Sequence, residues 1–196
     1  PRAQASPSPP TQKVSSLKAF HMARVELPSL TYLNLSDNCL TEIPSGFIIT
    51  SMVKLKKLSL GFNKIDKLPA SVGSLTALTS LTLADNNLTV LPDEIGNLVE
   101  LSELLLRSNF LKELPDSIGV LSALKNLDLT HNALTSLPHT IGGLSSLKTL
   151  LLGHNLLNAL PPEIEDLGKL PLPSSPSPSN QPLIIMIFSQ SGDHQD

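Results

Sequence analysis

Residues 78–92 read Leu78-Thr79-Ser80-Leu81-Thr82-Leu83-Ala84-Asp85-Asn86-Asn87-Leu88-Thr89-Val90-Leu91-Pro92. Reduced to its pattern, this is Leu-x-x-Leu-x-Leu-x-x-Asn-x-Leu-x-x-Leu-Pro. The pattern also starts at Leu30, Leu55, Leu101, Leu124 and Leu147, with Leu or Ile in the last two apolar slots, and from Leu55 onward the interval is 23 residues each time. A fixed period of this length builds a solenoid, in which each unit buries its apolar face only against its neighbours.

The first six residues of the pattern alternate in the period of two that a strand requires. The Leu side chains should therefore point inward and the intervening residues outward. Strands of successive repeats then pair side by side as a parallel sheet, about 4.8 Å apart. The Asn of each repeat (Asn38, Asn63, Asn86, Asn109, Asn132 and Asn155) follows the strand. Its amide carries donors and an acceptor, so it is expected to satisfy backbone groups left over by the bend, including those of the next repeat. The Leu-Pro pair opens the outer, convex segment. Asp93, Asp116 and Glu163 lie near the start of that segment, where carboxylates favour the exposed N–H groups of a helical turn.

The Leu-Pro-x-x-Ile-Gly-x-Leu stretches at 91–98, 114–121 and 137–144 carry a family resemblance. The array over residues 30–170 resembles the intracellular leucine-rich repeats of the Ras-related, 23-residue class, as found in the Shoc/Sur-type Ras scaffold, in Scribble and Erbin, and in plant Ras-group-related repeat proteins. The resemblance implies an α/β, β-rich solenoid, a right-handed superhelix with a concave parallel sheet that binds a protein partner such as a small GTPase, a kinase or a phosphatase complex. It implies a non-enzymatic scaffold in signal transduction. The shared residues are all core residues, so they specify the fold and leave the partner open.

Outside the array the pattern breaks down. Residues 1–16, rich in Pro, Ser, Ala and Gln, read as a disordered tail. Residues 17–29 read as a degenerate half-repeat or N-terminal cap. The first repeat is two residues longer than the others, around Phe47 to Met52, an insertion expected on the convex side. After Leu170 the next repeat slots fall on Pro173, Ser175 and Pro178, where proline lacks the N–H a further strand would use. Residues 171–196 thus read as a Pro/Ser linker and a short apolar tail, without a cap. The run Leu183–Phe188 either folds back on the open last repeat or promotes aggregation. Left uncovered, that repeat would expose Leu147, Leu150, Leu152, Leu157 and Leu160. Each Leu is worth about 1.5–3 kcal/mol when fully buried.

Bulk composition narrows the function classes. The 196 residues are 40% hydrophobic, 16% charged and 3% aromatic, with no Trp and a formal charge of −3. No global basic field exists for nucleic acid or anionic membrane, and few rings are present for base stacking. Cys39 is the one cysteine, so no internal disulfide forms and a reducing, cytoplasmic location is expected. Residues 1–10 hold no apolar stretch resembling a secretory signal. The run Leu183–Phe188 is too short to span a bilayer, so no membrane insertion is expected.

No catalytic residue, cofactor site or metal site emerges. Gly142-Gly143-Leu144-Ser145-Ser146-Leu147-Lys148-Thr149 is the nearest approach to a phosphate loop, but the residue before the Lys is a core Leu where such a loop needs Gly. His131 and His154 occupy the slot before the Asn in adjacent repeats and should be neighbours at the edge of the concave face. A metal needs more ligands than these two, and only Asp85 shares their column nearby.

Binding is expected on the outward columns of the strands. Leu105 and Leu151 stand where Ser and Thr are usual, Arg107 lies two residues from Leu105, and Asp128 falls between the two Leu residues. Apolar anchors beside Arg are a common interface composition. The predicted protein-binding patch is Glu103, Leu105, Arg107, Asp128, His131, Leu151 and His154. Two alternatives remain: a repeat segment regulating a larger enzyme, such as a receptor kinase or ubiquitin ligase, or a truncated fragment with little function of its own.

Overall fold

The computed structural model describes residues 29–43, 52–167 and 184–186. The tail at 1–16, nearly all of the half-repeat at 17–29, most of the insertion and the Pro/Ser linker lie outside the described residues. Six strands come from the six repeats: β1 (Tyr32–Asn34), β2 (Lys57–Ser59), β3 (Ser80–Thr82), β4 (Glu103–Leu105), β5 (Asn126–Asp128) and β6 (Thr149–Leu151). They pair in parallel and in sequence order, with equivalent residues in register, as in Leu81 against Leu104. Each strand is three residues long because only its middle Leu must be clamped inward between two outward residues. Those middle Leu residues, Leu33, Leu58, Leu81, Leu104, Leu127 and Leu150, are all buried. With the Leu residues flanking each strand they form one continuous core along the array.

The convex side is built from 3-10 turns, and the described residues contain no α-helix. The turns are Ala70–Ser74, Asp93–Asn97, Asp116–Val120, His139–Gly143 and Pro162–Asp166. Pro92 shows how each begins. Its φ of −72° and ψ of 151° bring the chain in extended, and its carbonyl accepts the Ile95 N–H at 3.0 Å. Proline suits this position because its fixed φ fits the entry and its missing N–H has no role there. The central Val72, Ile95, Ile118 and Ile141 are fully buried.

Glycine follows each of these apolar residues because the turns of neighbouring repeats nearly touch. A Cβ on Gly96 would lie 2.8 Å from both the Ser117 carbonyl oxygen and the Ser117 Cβ. The repeat spacing on the convex side is therefore set by a residue without a side chain.

The Asn ladder runs opposite to the sequence expectation. Asn86 Nδ2 donates to the Leu83 carbonyl of its own repeat at 3.1 Å and to the Leu60 carbonyl at 2.9 Å, while its Oδ1 accepts the Ile65 N–H at 3.0 Å. Leu60 and Ile65 belong to the preceding repeat, not the next. The same backward reach recurs at Asn63, Asn109, Asn132 and Asn155. The physical reason is the turn after the strand, which points the amide toward the repeat already laid down.

The C-terminal end is half covered. A seventh strand, β7 (Ile184–Met186), pairs in parallel with β6, placing Ile185 in register with Leu150. It starts 35 residues after Thr149 rather than 23, beyond the prolines that occupy the regular slots. Leu147, Leu150 and Leu152 are buried, in keeping with the alternative in which the apolar run folds back on the last repeat, whereas Leu157 and Leu160 are only partly buried. No helix among the described residues is long and apolar enough to cross a membrane.

Candidate protein-binding face

The parallel register assembles the predicted patch. Leu105 is opposite Asp128, and Asp128 is opposite Leu151. Three adjacent strands therefore present Leu, Asp and Leu side by side, with the two Leu residues about 10 Å apart at the usual strand spacing. Both Leu side chains are half-buried. Glu103 and Arg107 lie two residues before and after Leu105. Strand alternation puts Glu103 on the same face, and the bend after β4 carries Arg107 to its edge.

The polar members differ in their freedom. Glu103 Oε2 accepts the Ser80 hydroxyl proton at 2.7 Å. Asp128 Oδ1 accepts from both the N–H and the hydroxyl of Thr130, at 2.9 and 2.7 Å. Its carboxylate is thereby committed to its own strand end. Arg107 is exposed; its carbonyl accepts the Asp85 N–H at 2.9 Å, but its side chain forms no hydrogen bond or ion pair with a described residue. Its guanidinium donors are free to meet a carboxylate or carbonyl from outside.

His131 and His154 are neighbours, as their column implied. Their rings stack with centroids 4.1 Å apart and planes inclined by 11°. Both are exposed. Their lone pairs lie in the ring planes, so two parallel rings do not converge on a common point as metal ligands would. Both residues also hold positive φ, 55° and 57°, as do Asp37, Phe62, Asp85 and Ser108 in the same column. The left-handed bend just after the strand is thus imposed on whatever residue occupies the slot, including a bulky Phe for which it is an outlier.

Sequence reasoning did not single out three features. One is the positive-φ column itself, since no Gly marks it. Another is a line after the Asn slot, with Phe110 and Leu156 exposed and Ala133 half-buried between them, which shows as a column when the repeats are aligned. The third is on the convex side, where His139 Nδ1 lies 2.9 Å from Glu163 Oε2. That hydrogen bond, aided by charge attraction, raises the His139 pKa above its ordinary value, and it lowers that of Glu163.

Comparison with known proteins decides the family. The family model described as leucine rich repeat matches residues 53–111 and 99–157, and that for two copies of the repeat matches 28–72. The chain belongs to the leucine-rich repeat family. Among solved structures, this leucine-rich repeat chain is similar to a leucine-rich repeat protein of Leptospira interrogans, at 40% identity and a TM-score of 0.60, over 73% of this chain and 42% of that one. It is also similar to the ectodomain of the Arabidopsis thaliana receptor kinase GASSHO1/SCHENGEN3 in complex with Casparian strip integrity factor 2, at 37% identity and a TM-score of 0.63, over 71% of this chain and 17% of that one. An internalin of Listeria monocytogenes matches at 28% identity and a TM-score of 0.61, over 73% and 40%. The chain thus spans less than half the length of each. No curated protein sequence matches it.

Proposed function

We propose that this leucine-rich repeat chain is a non-enzymatic protein-interaction module that binds a protein partner on its concave face, in the manner of a cytoplasmic signalling scaffold of the Ras-related class. The observation that carries the reading is the pairing of half-buried Leu105 and Leu151 with the unpartnered Arg107 side chain on one face. Apolar anchors supply binding energy on desolvation, and a free guanidinium supplies direction. Glu103, Asp128, His131 and His154 form the polar surround. The receptor-kinase ectodomain solved with its bound factor supports the use of such arrays as binding surfaces. The cytoplasmic assignment is supported by Cys39, a free and exposed thiol, which fits a reducing compartment.

The test is site-specific photo-crosslinking. A photoreactive amino acid replaces Leu105, or Glu94 on the convex side as control, and the chain is exposed to a cytosolic extract. A discrete adduct from position 105 and none from 94 is expected. Leu105→Glu should then weaken binding of the purified partner by at least about tenfold, as expected for a central apolar anchor. Unchanged affinity with an intact circular dichroism spectrum would sink the proposal.

A second reading, a repeat segment that regulates a larger enzyme, is favoured by the 37% identity to a receptor-kinase ectodomain. A kinase or ligase domain in the same parental reading frame would decide for it.

A further inference from the structure

The slot immediately after the Asn changes character along the array. In the first three repeats it holds Cys39, Lys64 and Asn87; in the last three it holds Phe110, Ala133 and Leu156. Phe110 and Leu156 are 58% and 57% exposed, in a chain with only six Phe and Tyr residues together. The burial is not incomplete by accident of flexibility, because the backbone here is laddered. The N–H groups of Phe110, Ala133 and Leu156 donate to the carbonyls of Leu88, Leu111 and Leu134 at 2.8–2.9 Å. The three side chains are thereby held one repeat apart, in a line along the solenoid axis at the edge where the chain leaves the sheet.

Charge is distributed unevenly around this line. The slots two residues to either side hold Ser108, His131 and His154 on one flank, and Lys112, Thr135 and Asn158 on the other, with no carboxylate. Arg107, its side chain free of partners, lies one residue further in. The carboxylates of the 3-10 turns, Asp93, Glu94, Asp116, Glu163, Glu165 and Asp166, are on the convex side. The nearest carboxylates in sequence are the exposed Glu113, next to Lys112, and Asp85, one repeat before Ser108 in its column; Lys112, Arg107, His131 and His154 outnumber them beside the apolar line.

We propose that the line Phe110–Ala133–Leu156 is a second docking surface, adjoining the concave patch, for an extended segment of a partner protein that carries an apolar side chain between acidic residues. The geometry suits such a segment. Phe110 and Leu156 are two repeats apart, about 10 Å, which roughly three residues of extended chain span. One apolar side chain can then seat over Ala133 between Phe110 and Leu156, while Asp or Glu on either side of it meets Lys112, Arg107 and the stacked imidazoles. Charges bordering an apolar anchor confer orientation and rate of association more than affinity. The proposal rests on the reading of the chain as a protein-binding module; its apolar anchors, Phe110 and Leu156, and Lys112 lie outside the concave patch, while Arg107, His131 and His154 border both surfaces.

The test is selection of a random 12-residue peptide display library on the full chain, followed by fluorescence polarisation with the enriched peptides. Expected are sequences with Phe, Leu, Ile or Met flanked by Asp or Glu. Phe110→Ser and Leu156→Ser should each weaken them at least about tenfold, more than Leu105→Ser, which adds no charge beside Arg107, and raised salt should weaken them. Phe110 and Leu156 are exposed and Leu105 is half-buried, and circular dichroism checks that the variants fold. Greater sensitivity to Leu105→Ser than to Phe110→Ser would overturn this proposal and leave the concave reading standing. Enrichment of basic sequences, or of none, would also overturn it, while the crosslinking from position 105 still judges the concave face. A concentration-dependent dimer abolished by Phe110→Ser would overturn it by making a second copy the occupant.

Discussion

At the scale of the residue, the array depends on its asparagines more than on any charged group. Asn86 is 4% exposed and joins two repeats through a donor pair and an acceptor on one side chain. Asn86→Asp keeps the size and the acceptor but loses both amide donors, turning an oxygen toward the Leu60 and Leu83 carbonyls. Urea unfolding should show a loss of roughly 2 kcal/mol or more, since each buried group left unsatisfied costs about 1–3 kcal/mol. The neighbouring Asn87 is exposed and gives the control. Asn87→Asp should be close to neutral, and an equally small effect of Asn86→Asp would refute the inter-repeat role. The presence of this bonding was legible from the amide's chemistry and its fixed slot. Its direction was not: the left-handed bend that aims the amide backward falls on Asp37, Phe62, Asp85, Ser108, His131 and His154, and although Asp and His are enriched at positive φ, Phe62 and Ser108 interrupt that signal.

At the scale of the element, strands and turns differ in what they take from sequence. The strands were legible because a single inward Leu between two outward residues is the whole requirement, and it repeats six times. The turns announce themselves by Leu-Pro, but five residues are too few to show a helical period, so the 3-10 form was not readable. The glycines of the Ile-Gly step looked like family markers. They are sites of close approach, and Gly96 faces Ser117 across the repeat boundary with no room for a methyl group. Gly96→Ala should destabilise by about 1–3 kcal/mol through overpacking, read by denaturant melts, even though alanine is the better helix former. A neutral or stabilising outcome would mean that the turns slide apart freely and that spacing is set by the sheet alone. The candidate face follows the same division. Its membership came from strand alternation and column alignment, whereas the commitment of Asp128 to Thr130 and the freedom of Arg107 depend on bends that only the structure displays.

At the scale of the whole molecule, a solenoid is limited by its ends, since interior repeats are sealed by their neighbours. The last repeat shows the contrast within itself. Its sheet-side Leu147, Leu150 and Leu152 are 3%, 0% and 1% exposed, as buried as any interior repeat, while Leu157, Leu160 and Ile164 are only partly buried where Leu134, Leu137 and Ile141 of the repeat before are 0%, 5% and 0% exposed. The difference coincides with β7, which extends the sheet by one strand and, among the described residues, has no counterpart on the convex side. An uncovered β6 edge would offer a row of unpaired backbone groups to another chain. Adjacent residues of a strand send their N–H groups to opposite sides, so Ile185→Pro and Met186→Pro between them must remove one that faces β6. Whichever of the two does so should speed amide hydrogen exchange in Thr149–Leu151 relative to Ser80–Thr82, and should shift the chain from monomer toward larger species in size-exclusion chromatography with light scattering. The other variant, whose missing N–H faces away from β6, should behave as the parent chain. If both variants matched the parent in exchange and in mass, β7 would contribute nothing to closing the array, and the burial of Leu150 would have to come from elsewhere in the tail.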